Sequence, residues 1–576
     1  MFTARTTART LAPVLLVATA LAAGSTTLHA QKAKLNQYGY PEKLKPKATT
    51  AAITPAELMT RLYIFADDSM MGRDAGRVGN TKGTDYLARE LKRLGIEPAG
   101  DNGTYFQTLP GVGLYSITPS TFSVDGRVLM WATDYVIAPN QIAASSLSGA
   151  EVIYGGVMGD TLNELKPGQA AGKIVVVRPA AAGAGRAGGA RAGQPPRPNP
   201  LAGALGVVNV NLDGVAADAI ERMTKPANRE VATVRGVPQT NIVMRVTTAG
   251  ATTIFGKPLT DVPVGTVAGK ANAQINYVFE PRPEWARNVV GIIRGSDPKL
   301  RGQYVAIGAH NDHVGFGAKV DHDSAFAMRH ARMKMTIRNQ DTIRALTPEE
   351  VASIKINVDS LHKIRPARID SINNGADDDG SGSMAVLEIA EAFSKAAVKP
   401  KRSILFVWHT GEEDGLVGSA YYATHTTVPK DSIVAQINID MIGRGRAEDL
   451  PGGGPDYLGV VGRNMLSAEL GTMVESVNKK QRSPLRLDDR YDQNVTSTLG
   501  GSYNNIYGRS DHYNYALQGI PIAFFFTGLH GDYHQTTDEP QYIDYPHYAR
   551  ITNYIRDLIV EIGNNPKRPA LTKPVS

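Results

Sequence analysis

The chain has 576 residues, 42% hydrophobic and 20% charged, an ordinary globular balance that excludes fibrous and disordered classes and leaves room for more than one domain. Its 62 basic and 55 acidic residues give a net charge of +7, dispersed without an aromatic-interleaved basic stripe, so no nucleic-acid partner is expected. There is no cysteine, which excludes disulfides and thiolate metal sites and leaves His, Asp and Glu to hold any metal.

Arg5 and Arg9 precede an apolar stretch from Leu11 to Ala23, followed by small and polar residues to Ala30. This is the layout of a secretory signal peptide over residues 1–30, too short for a permanent membrane helix. Cleavage is expected after Ala30, with a site near Ala23 as the alternative. No later stretch approaches transmembrane length, so an exported protein, periplasmic or extracellular and without a permanent membrane span, is expected. Oligomeric state is not legible.

Residues 31–130 begin with an extended Lys-, Pro- and Ala-rich lead-in. The segment TPAELMTRLYIFADD then predicts a helix capped by Thr54, with Glu57 in capping-box spacing, and a second helical pattern runs from Thr84 to Leu94. From 131 to 272 the texture changes to short β-rich runs such as AEVIYGGV, GKIVVVRP and TNIVMRV, punctuated by Gly and Pro, which predict a small β-rich domain. Within it the Gly/Ala/Pro/Arg stretch from Pro179 to Pro200 cannot build a core and reads as a loop.

Residues 273–565 hold four continuously apolar runs, YVAIGA (304–309), SILFVWH (403–409), IVAQINI (433–439) and PIAFFF (521–526), separated by helix-length stretches. Such runs predict buried strands of a mostly parallel sheet, and in open α/β sheets ligands bind beyond the carboxyl ends of the strands. The expected fold is α/β, a mostly parallel mixed sheet flanked by helices, with the β-rich domain inserted. A long charged insertion at about 318–370 carries His322, His330 and His362, read as surface or interface residues with another metal site as the alternative.

Five segments follow, or nearly follow, the apolar runs: GAHNDH (308–313), GADDDGSG (375–382), GEED (411–414), NIDMIGR (438–444) and DYHQTTDE (532–539). Crowded carboxylates repel and are tolerable mainly when a cation neutralises them, so the set supplies ligands for two adjacent metals. Adjacent glutamates in GEED can divide the work, one on a metal and one taking a proton from attacking water. Asp312 is the natural carboxylate to hold the far nitrogen of a metal-bound His310.

These motifs, in this order, resemble the co-catalytic di-zinc exopeptidases of the bacterial leucyl aminopeptidase and glutamate carboxypeptidase type, over roughly residues 55–130 and 275–560. The block around GKIVVV resembles the protease-associated domain inserted in such enzymes. The resemblance implies two Zn2+ ions and peptide substrates. It implies His310, Asp440 and the bridging Asp378 on one zinc, and Asp378, Glu413 and His534 on the other, with a cis peptide between Asp378 and Asp379. It further implies Glu412 as general base, Asp312 as the carboxylate orienting His310, and Tyr533 as an oxyanion-stabilising phenol. Asp511 and His512 are substrate-contact candidates, explained nearly as well by a helix cap and a surface histidine.

Aminopeptidase action is the first expectation. Three alternatives stand beside it: a carboxypeptidase or dipeptidase using Arg444 or Arg509 for a carboxylate, a single-zinc glutaminyl cyclase, and a non-catalytic binding protein.

Overall fold

The computed structural model describes residues 35–110, 112–137, 146–160, 162–179, 199–215, 220, 242–338, 346–490 and 503–572. The signal-peptide segment 1–30 and nearly all of the Gly/Ala/Pro/Arg stretch lie outside these residues.

All four apolar runs form strands, at Tyr304–His310, Ser403–His409, Ile433–Ile439 and Ile522–Phe526, and every residue in them is buried. They are consecutive parallel neighbours, with Ser403–His409 beside Tyr304–His310, then Ile433–Ile439, then Ile522–Phe526. Antiparallel Arg287–Ile293 borders one side of this block and antiparallel Tyr457–Val461 the other, within a nine-stranded mixed sheet. The strands carry no polar alternation because both faces are covered. Ile404, Phe406 and Trp408 join the core under the helices Pro55–Phe65, Val78–Arg93, Gly382–Lys395 and Tyr545–Asn564, while Leu405 and Val407 join a core with Tyr422 and Tyr515 on the opposite face.

The first helix begins where its cap requires, with the Thr54 side chain accepting from the Glu57 amide at 3.3 Å. The reciprocal half of the box is diverted, because the Glu57 carboxylate accepts from the Thr50 amide instead. The second helix starts earlier than its sequence pattern, at Val78, and ends at Arg93. Arg61 of the first helix reaches the Gly382–Lys395 helix, where it is buried against Glu388 and Glu391 and donates to Glu90 at 3.0 Å. Removing the cation would leave buried carboxylates uncompensated. Arg61→Ala should therefore lower the unfolding free energy in a urea titration by about 3–5 kcal/mol, whereas a loss below about 1 kcal/mol would mean the cluster relaxes without it.

A second, eight-stranded sheet has its own apolar core, built from residues including Phe122, Val152, Ile174, Val208 and Met244. It spans Thr121–Val124 to Val267–Gln274, and so takes in two strands, Thr121–Val124 and Arg127–Leu129, ahead of residue 131. Among the described residues no helix is long and apolar enough to cross a membrane.

Candidate metal centre

The carboxyl edge of the parallel block collects the five segments. His310 ends its own strand, GEED follows His409, and Asp440 follows Ile439. Tyr533 and His534 lie on the turn after Ile522–Phe526, and the three aspartates sit on the turn that opens helix Gly382–Lys395. The Asp378–Asp379 peptide is cis.

Two groups of ligand-type atoms converge there and share Asp378. In one, His310 Nε2 lies 3.1 Å from Asp378 Oδ1 and 3.7 Å from Asp440 Oδ1. In the other, His534 Nε2 lies 3.0 Å from Asp378 Oδ2 and 2.9 Å from Glu413 Oε2. His310 Nε2, Asp378 Oδ2, Asp440 Oδ1 and His534 Nε2 are all buried without a properly directed hydrogen bond among the described residues. Donors bound at 2.0–2.2 Å to one tetrahedral ion stand about 3.3 Å apart, so the spacing and the orphaned atoms fit two metal ions bridged by Asp378.

Glu412 belongs to neither group, yet it lines the cleft beside Asp378 and Asp440. Burial, with Glu413 and Asp440 alongside, pushes its carboxyl well above the ordinary carboxylate range despite His310 nearby. Burial also opposes ionisation of Asp378, but the His310 and His534 imidazoles beside it hold it well below that range. Burial disfavours a charged His534, and the Asp378 and Glu413 carboxylates beside it outweigh this, raising the imidazole to about 10. The environment thus separates carboxylates that hold positive charge from one that favours a proton.

Residues 288–559 match the profile of Peptidase family M28. This stretch of the chain is similar to that family. Among curated relatives, leupeptin-inactivating enzyme 1 of Streptomyces exfoliatus is 32% identical over 30% of this chain and 34% of its own. Leucine aminopeptidase 1 of Fusarium vanettenii is 29% identical over 33% of this chain and 46% of its own. The chain thus spans a third to a half of the length of these relatives. The solved aminopeptidase from Aneurinibacillus sp. strain AM-1 aligns over 90% of this chain and 96% of its own, with 16% identity and a TM-score of 0.44.

Around the candidate centre, the three aspartates of GADDDGSG have three tasks. Asp378 faces the ligands. Asp379 accepts from the His310, Gly382 and Met441 amides, so it ties two strand ends and a helix start to one point. Asp377 accepts from the Gly443 amide and faces His530 Nε2 at 3.3 Å. Asp538, pushed up to about 6 chiefly by burial, accepts from the Asp377 and Asp378 amides.

Asp312 works differently from the sequence expectation. His310 Nδ1 bonds its main-chain carbonyl at 3.1 Å, whereas its carboxylate is 3.7 Å away and accepts from the Glu412 and Glu413 amides at 3.2 and 3.4 Å. One residue therefore orients the histidine through its backbone and GEED through its side chain. Tyr533 stacks on His534 with ring centroids 3.8 Å apart, and its hydroxyl lies 3.4 Å from Arg509 in the cleft.

Several contributors were not among the site residues expected from the sequence. Arg73, fully buried, donates to the carbonyls of Phe65, Asn311, Asn374 and Gly375 and so joins the His310 loop to the aspartate turn. Ser510 donates to Asp440 Oδ2 at 2.7 Å. His313 joins the Asp378, Glu413 and His534 group. The signal for it was its place in GAHNDH, one residue past Asp312.

Other candidates turn away from the cleft. Arg444 is buried against Asp532 and donates to the Tyr542 carbonyl. Asp511 is buried facing His409 at 3.4 Å, and His512 is buried with its ring stacked on Phe524. In the insertion, His322, His330 and His362 face Glu539, Asp532 and Asp321 respectively, three separate carboxylates rather than one site. Helix His322–Arg338 packs on the turn bearing His534, with Arg329 bonding Gln535 and Thr537.

Proposed function

We propose that this chain is an exported zinc-dependent aminopeptidase, a metallo-exopeptidase that removes N-terminal residues from peptides with two zinc ions. The reading rests above all on the convergence of two ligand groups on Asp378, with Glu412 unengaged in the adjoining cleft. His310, Asp378 and Asp440 would hold one ion, and Asp378, Glu413 and His534 the other. Bound there, the ions would polarise the scissile carbonyl and lower the pKa of attacking water. Glu412, whose surroundings favour a proton, takes the water's proton and delivers it to the leaving amine. Tyr533 donates to the oxygen that gains charge.

The cleft suits an apolar first residue: Met441, Ile506, Phe524, Phe526 and Leu529 provide an apolar wall for its side chain beside Glu412. The name of one of the two curated relatives, leucine aminopeptidase 1 of Fusarium vanettenii, agrees with this reading. Arg444 is engaged by Asp532 and the Tyr542 carbonyl, which disfavours it as a carboxylate receptor. Arg509 lines the cleft, and this favours a carboxypeptidase or dipeptidase as the second reading.

A peptide panel separates the two. Free-amino peptides, C-amidated ones included, should be hydrolysed and N-acetylated ones refused; cleavage of N-acetylated peptides that requires a free carboxyl terminus would overturn the aminopeptidase reading in favour of the second. A pyroglutamyl product with one metal per chain would indicate a cyclase. In the same proposal, residues 131–272 with the neighbouring strands from Thr121 are an inserted protease-associated-like domain, a division supported by the separate sheet and core.

A further inference from the structure

The two ligand groups are unequal. One comprises His310, Asp378 and Asp440; the other comprises Asp378, Glu413, His534 and, in addition, His313. We infer that His313 binds metal directly through Nδ1, giving the Glu413/His534 ion four protein ligands and leaving the His310/Asp440 ion with three. This rests on the two-metal reading above.

Distance is the first argument. His313 Nδ1 lies 2.9 Å from Glu413 Oε1 and 3.7 Å from Asp378 Oδ2. His534 Nε2 lies 2.9 Å from Glu413 Oε2, the other oxygen of that carboxylate, and 3.0 Å from the same Asp378 Oδ2. Both imidazoles therefore keep the separation of about 3.3 Å expected of ligands around one ion. Their rings meet edge to face, centroids 5.5 Å apart and planes at 81°, so they approach a shared centre from different directions.

The second argument is how the ring is held. The His313 amide donates to the Arg73 carbonyl, and the ring lies over Gly375, where a Cβ would come within 2.5 Å of it. Gly375 has a φ of +56°, so the bare α-carbon both turns the chain and makes room. His313 Nε2 is buried with no hydrogen-bond partner among the described residues, while Nδ1 bonds Glu413 Oε1 and is the nitrogen turned to the shared carboxylates.

The third is where the cleft lies. Asp378, Glu412 and Asp440 line it, whereas His313, Glu413 and His534 do not. Four protein ligands nearly close a tetrahedral ion, and three leave a position open. The open coordination thus falls on the Asp440 side, where Glu412 and the apolar wall await substrate.

X-ray absorption on protein loaded with zinc alone provides the test and requires no variant. Three histidines per two zinc ions are expected; two would overturn the assignment, and failure to bind two ions would instead overturn the two-metal reading. In zinc titrations, His313→Ala should weaken one site by more than about 100-fold, beyond the effect of losing a residue that only orients a ligand, with the other site unchanged. Cobalt loaded into the affected site should change its visible absorption as a ligand is lost. Unaltered affinities and spectrum in a folded variant would also refute a direct bond.

Discussion

Glu412→Gln is expected to lower kcat/KM by about two to four orders of magnitude, the usual contribution of a positioned general base, while zinc content stays at the wild-type level. Glutamine keeps the size and shape of the side chain but cannot accept and return a proton. Its amide would also fit the position, because Glu412 belongs to neither ligand group and the backbone amides of Glu412 and Glu413 are held independently by Asp312. Steady-state kinetics on a free-amino peptide, paired with elemental analysis of the same sample, separates proton transfer from metal loss. Activity near wild type would remove Glu412 from the mechanism, and loss of zinc in step with activity would make it a ligand.

Asp378→Ala should have the broader effect. Both groups meet on this carboxylate, His310 on one oxygen and His534 on the other, so its loss unmakes both sites at once. Zinc content should fall to a small fraction of wild type, and kcat/KM by at least about three orders of magnitude, since several kcal/mol of charge stabilisation depart with the ions. In the wild type, zinc at 100 times its dissociation constant should add about 2.7 kcal/mol of stability, seen as a rise in Tm that a chelator reverses. Asp378→Ala should show no such rise. If it binds two zinc ions with a wild-type thermal shift, Asp378 does not bridge them.

The ease of reading the fold and the difficulty of reading parts of the site have separate causes. A strand buried on both faces has to be apolar throughout, so SILFVWH and IVAQINI declared their boundaries to the residue. The stretch SGSMAVLEIAEAFSK carries apolar residues at helical spacing and forms helix Gly382–Lys395. The 121–129 strands were harder because short half-exposed strands carry little pattern, and Val78 lies ahead of the apolar repeat of its helix.

Within the site, the sequence by itself determined the types of ligand, their order along the chain and their place at the carboxyl ends of predicted strands, because these depend on local pattern and on absent cysteine. It also marked Glu412 and Glu413 as a pair with divided roles, which their contrasting environments support. Only the tertiary structure decided what each neighbouring carboxylate touches. Asp377, Asp378 and Asp379 are alike as letters, but one faces His530, one the ligand atoms and one three backbone amides. The same holds for Asp312, whose carboxylate grips GEED rather than His310, for Arg73, which joins loops far apart in the chain, and for His313. Chain spacing fixes which residues share a turn or a strand face; convergence of segments separated by tens to hundreds of residues depends on how the sheet and helices pack, and that information is not local.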